Sequence, residues 1–154
     1  MRRLRGDDGA LIVELALVGV VLFLVVFGVI DLGRAYSLQN RLTNAAREGA
    51  AVAQFKPGNV NTGCASGNNV VDRATNEDTG LSSISGFSVS VAKKVGSTLT
   101  PYSGCGTTSG VSISPGDTLV VTARADFKVV TPLIGALVGN TITVARSTTV
   151  VVQG

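Results

Sequence analysis

From Ala10 to Ile30 the chain runs for 21 residues that are all apolar or small except for a single charge, Glu14. As a helix rising roughly 1.5 Å per residue, that run spans about 30 Å, the thickness of a bilayer's hydrocarbon core. In lipid each backbone N–H and C=O must be bonded within the segment, so a single run of this length has only the helix open to it. A carboxylate inside such a run costs about 2.5–3.5 kcal/mol on insertion scales, and one retained there generally has a partner.

The run is not an ordinary removable signal. Arg2, Arg3 and Arg5 supply a basic start, but a secretory signal has an apolar core of about 7–15 residues followed by a small-residue cleavage site. Here the core is longer and continues into Gly28-Val29-Ile30-Asp31-Leu32-Gly33-Arg34. Arg34 and Arg41 follow the segment, so the positive-inside bias is slight. Orientation therefore rests on the two cysteines, Cys64 and Cys105, which lie far apart in Gly/Ser-rich sequence. Two such residues fit one disulfide better than a metal site, which needs more ligands. A disulfide places the downstream region in an oxidising, extracytoplasmic compartment. Closing the 42 residues from Cys64 through Cys105 contributes about 4 kcal/mol in the chain-entropy view.

Helical spacing persists beyond the apolar run. Leu38, Leu42, Ala45, Gly49 and Val52 recur at three- and four-residue intervals, with Arg41, Asn44, Arg47 and Glu48 on other faces. Lys56-Pro57-Gly58 ends the pattern. One helix over about 10–56, with its membrane segment at 10–30, is predicted to extend about 70 Å.

Past Pro57 the composition turns to Gly, Ser, Thr, Asn and Val. Leu119, Val121, Ala123, Ala125, Phe127 and Val129 alternate with mostly polar residues, as do Phe87, Val89 and Val91. A last strand is expected around Ile142–Val152, with a bulge or bend near Ala145-Arg146 where the arginine breaks the apolar face. A short helix is expected over Asn68–Thr79, closed by Gly80, and an irregular loop over 96–117. The predicted class is α+β: a long N-terminal helix packed on a small antiparallel sheet of three or four strands, in a β-rich head over 57–154.

Other patterns point away from chemistry. The formal net charge of +3 falls to +2 without residues 1–9, too little to imply nucleic acid. With no histidine in the chain, Ser-His and Cys-His nucleophile arrangements are impossible, and no phosphate-binding glycine motif precedes a helix. Neither a cofactor, a metal nor a small-molecule substrate is expected. Arg5-Gly6-Asp7 reads as a chance tripeptide, and Asp72, Asn76, Glu77 and Asp78 read as a solvated polar turn lacking a calcium-loop pattern. Gly135 and Gly139 form a GxxxG too short to span, hence a connection or packing patch.

Residues 9–53, from Gly-Ala-Leu-Ile-Val-Glu-Leu-Ala-Leu-Val through Phe27-Gly28-Val29-Ile30-Asp31-Leu32-Gly33-Arg34 to Leu42-Thr43-Asn44-Ala45-Ala46-Arg47-Glu48-Gly49-Ala50, resemble the N-terminal signature of the TadE-like family. These are pilin-like proteins of the tight-adherence (Flp-type) pilus system. Thr131-Pro132-Leu133-Ile134-Gly135 and the Thr/Val-rich strand around Ala145-Arg146-Ser147-Thr148 resemble the family's ending. Gly19-Val20 departs from it, standing where the family often has a proline.

The resemblance implies a structural, non-enzymatic minor pilin or pseudopilin with a leader over 1–9. Prepilin peptidase would cut between Gly9 and Ala10, and Glu14, then the fifth residue, would align subunits by pairing with the new ammonium of Ala10. Its implied partners are the peptidase, other pilin or pseudopilin subunits, the assembly machinery and the membrane. Its implied place is the bacterial inner membrane with the head outside, then a surface pilus used in adhesion. The alternatives are an uncleaved single-pass protein whose head binds an envelope or surface partner, and the major filament subunit.

Overall fold

The computed structural model describes residues 6–56, 69–102 and 112–153, apart from the side chains of residues 6–8, 133 and 137. Cys64, Cys105 and residues 1–5 of the expected leader lie outside the described residues. Helix α1 runs from Gly6 to Phe55, 50 residues without a break. It begins one turn earlier than the sequence indicated, passes through Gly19 and stops just before Lys56-Pro57. Helix α2 (Val70–Asn76), strands β1 (Ser88–Val95), β2 (Thr98–Tyr102) and β3 (Thr118–Lys128), helix α3 (Pro132–Val138) and strand β4 (Thr141–Val151) follow. The strands form one sheet in the order β2-β1-β3-β4.

The chain divides into two compact units. One comprises α1 as far as Ala35 with Lys128–Ile142; the other comprises Tyr36–Phe127 with Thr143–Gly154. In the second unit the far end of α1 packs on the sheet. Leu38, Leu42, Ala45, Ala46, Ala50 and Ala53 are buried along one helix face, opposed by Leu119, Val121, Ala123, Ala125 and Phe127 of β3. Small residues make this face flat, so the helix backbone comes close to the sheet. At Gly49 an added Cβ would lie 3.3 Å from Val121 Cγ1 and 3.0 Å from Val70 Cγ1, where α1, α2 and β3 meet. Alternation gives β3 its buried odd positions, as the sequence pattern requires.

Three local expectations change. The short helix is confined to Val70–Asn76 because Asn69 caps it, its side chain accepting from the Asp72 amide at 2.8 Å. Asp78 is engaged beyond it, accepting from Arg41 Nε and, at 3.0 Å, from Arg41 Nη2. Within the expected 96–117 loop, Thr98–Tyr102 instead forms β2, paired with β1 across a two-residue turn at Gly96-Ser97. Gly96 has φ +60° and Ser97 is not at positive φ, the type II′ pattern whose twist suits a hairpin. Pro101 is tolerated because β2 is an edge strand. The bulge near Arg146 is not formed. Thr143 donates to Asp126 at 2.9 Å and Ser147 bonds Thr122 at 2.8 Å, so the same β3–β4 register holds on both sides of Arg146. As β4 is also an edge strand, Arg146 is exposed without any shift of the chain.

Candidate functional site

The first unit holds the residues singled out for anchoring and assembly. Along α1, Leu11, Ile12, Val13, Leu15, Phe23 and Ile30 are all more than half exposed, as are most of their apolar neighbours. Among the described residues no protein layer covers them, and this is the helix long and apolar enough to cross a membrane. Phe23 and Phe27, one turn apart, stack with ring centroids 6.3 Å apart. Such a sheath needs lipid or neighbouring helices to remove it from water.

Gly9, Ala10 and Glu14 all lie on this helix and are exposed. A Cβ at Gly9 would meet nothing within 4 Å. Ala10 and Glu14, four residues apart, share one helix face and differ in height by about 6 Å. Among the described residues Glu14 has neither a hydrogen bond nor an ion pair.

The other carboxylate of this unit, Asp31, sits just past the apolar run and is only 5% exposed. It accepts from the Thr131 amide at 2.8 Å, the Thr131 hydroxyl at 2.7 Å and the Val130 amide at 3.1 Å. Arg34, one turn on, lies 3.1 Å from its other oxygen. The Thr131 amide is the largest influence holding the Asp31 carboxyl below the usual aspartate value; the Thr131 hydroxyl, the Val130 amide and Arg34 act in the same direction against burial. Thr131 is the N-cap of α3, so one carboxylate on α1 fixes the entry to α3. Ile134 Cδ1 would lie 3.5 Å from a Cβ at Gly28, which places α3 against α1 inside the apolar run. Buried Gly135 lets the Asn140 side chain close over α3, and Gly139 ends it at φ +92°. The GxxxG is thus a packing and capping pair in a short connecting helix.

Sequence reasoning missed Asp31. A lone carboxylate between Ile30 and Leu32 at the end of the run was the available signal, but its donors lie about 100 residues further along the chain.

Residues 9–51 match the sequence model for TadE-like proteins. The matched segment takes in the apolar run, Glu14, Asp31 and most of the buried helix face, and bears out the family resemblance drawn from these residues. No curated protein and no solved structure matches the chain.

Proposed function

We propose that this chain is a structural, non-enzymatic pilin-like subunit of a tight-adherence pilus, acting as a minor pilin or pseudopilin. The observation that carries the reading is a single helix with two surfaces: apolar and uncovered over 10–30, buried against the sheet over 38–53. It connects a membrane or filament-core segment to a head, and the TadE-like match over residues 9–51 takes in the apolar run and most of the buried helix face.

Prepilin peptidase removes residues 1–9. Cutting before Ala10 creates an ammonium at a helix N-terminus whose first four N–H groups lack intrahelical partners. That end carries the positive pole of the helix, so a carboxylate nearby is favoured. Glu14, one turn in and without a partner among the described residues, pairs with the ammonium of Ala10 on a neighbouring subunit. In a low-dielectric bundle such a pair is strong only at short range, which makes it a register device more than a source of net stability. A Cys64–Cys105 disulfide ties the head together after export.

Intact mass and N-terminal sequencing of protein from its native cell test this reading. The mature chain should begin at Ala10, with the two thiols oxidised. A mature mass that still includes Met1–Gly9 refutes processing and favours the uncleaved single-pass reading.

A further inference from the structure

We propose that α3 is a second lipid contact, an apolar foot lying in the bilayer interface beside the end of the spanning run. The inference rests on the membrane reading of residues 10–30 and adds a contact which that reading does not contain. Helix α3 reads Pro-Leu-Ile-Gly-Ala-Leu-Val, and no charged residue occurs between Lys128 and Arg146. Val130 and Val138, flanking and ending it, are 63% and 56% exposed. Among the described residues nothing covers them.

Position identifies the occupant. Ile134 packs at Gly28, two residues inside the end of the apolar run, hence about 3 Å within it along the axis. A helix seated there is continuous with the surface that lipid already covers. Its backbone is prepared for that environment. An unbonded N–H is strongly disfavoured in hydrocarbon, yet the Val130 and Thr131 amides are both bonded to Asp31, and Pro132 has no N–H to satisfy. Asp31 thereby closes the polar end of an otherwise apolar element and holds it to α1. A seven-residue helix without charge cannot span, but it can lie in the interface with its side chains among the upper acyl chains.

The chain has no tryptophan, so single reporters can be introduced without background. Full-length Val138→Trp, Val130→Trp and Phe23→Trp proteins are reconstituted in phosphatidylcholine vesicles whose acyl chains are brominated either near the headgroup or near the tail end. All three positions are exposed, so folding is retained. Phe23→Trp should be quenched by lipid, establishing the spanning run. Val138→Trp and Val130→Trp should be quenched by the headgroup-proximal bromines at least about half as strongly as Phe23→Trp by its more effective lipid, and less by tail-end bromines. The proposal is overturned if both α3 reporters are unquenched by either lipid while Phe23→Trp is quenched. Blue-shifted emission shielded from acrylamide but insensitive to bromine overturns it too, because protein then covers the site. If Phe23→Trp itself is unquenched, the membrane reading fails and the inference falls with it.

Discussion

Replacing Gly49 by alanine should destabilise the head, although the same change in an open helix is stabilising. Alanine is favoured over glycine in a helix interior by about 1 kcal/mol, so propensity alone predicts a gain. Against it, the new Cβ would stand 3.0 Å from Val70 Cγ1, 3.1 Å from the Val70 carbonyl oxygen and 3.3 Å from Val121 Cγ1. Val70 and Val121 are both fully buried, so neither side chain has room to turn away, and the carbonyl belongs to the first residue of α2. Overpacking of this kind costs about 1–3 kcal/mol. The balance is a loss of about 1 kcal/mol for Gly49→Ala, rising beyond about 3 kcal/mol for Gly49→Val, whose branched side chain brings more atoms to the same point. Ala51, exposed on the same helix, calibrates the propensity scale: Ala51→Gly should lose about 1 kcal/mol. Urea unfolding of the full chain in detergent provides the assay, with midpoints compared at constant slope. Of the two tyrosines, Tyr102 is buried and Tyr36 exposed, so Tyr102 fluorescence in a Tyr36→Phe background reports on the head. If Gly49→Ala unfolds at the wild-type midpoint or above it, α1 is not seated on α2 and β3 at this glycine and the packing argument is wrong.

Two further outcomes follow from the carboxylates. Asp31 has its folded pKa depressed, chiefly by the Thr131 amide. Its contribution is therefore fully present above the ordinary aspartate value of 3.8 and is lost as pH falls through the lower folded value. The Thr131 amide resonance should titrate with a midpoint below 3.8, moving upward in Thr131→Val; a wild-type midpoint at or above that value contradicts the geometry. Glu14→Leu should leave insertion intact or improved, since it removes a cost of about 2.5–3.5 kcal/mol, while filament-associated protein in the sheared surface fraction drops at least about tenfold. Undiminished recovery there removes Glu14 from subunit alignment.

The elements governed by local periodicity were legible in the sequence. Twenty-one residues of near-continuous apolarity, three- and four-residue spacing from Leu38 to Val52, and alternation through β3 each reflect a constraint that acts within one segment. The hairpin at Gly96-Ser97 carried a recognisable turn dipeptide, but its surroundings are so rich in Gly, Ser and Thr that the dipeptide did not stand out. Arg146 misled in the opposite direction. A charge on an apolar face implies a bulge only when that face is covered, and sheet order, which sequence does not give, leaves β4 at an edge.

By itself the sequence determined that this chain has a helix suited to lipid, that the helix continues into a head, and that a lone Glu14 and a preceding Gly9 stand at the start of its apolar run. Those are properties of composition, length and spacing, which the backbone converts directly into local structure. Tertiary structure alone decided what Asp31 and Gly49 do. Asp31 is a polar break in the sequence until Val130 and Thr131 arrive to bond it, and Gly49 is an unfavourable helix residue until Val70 and Val121 close on it. Both roles depend on atoms from distant segments, through contacts effective only within a few ångströms, so they become visible only once folding has brought the segments together.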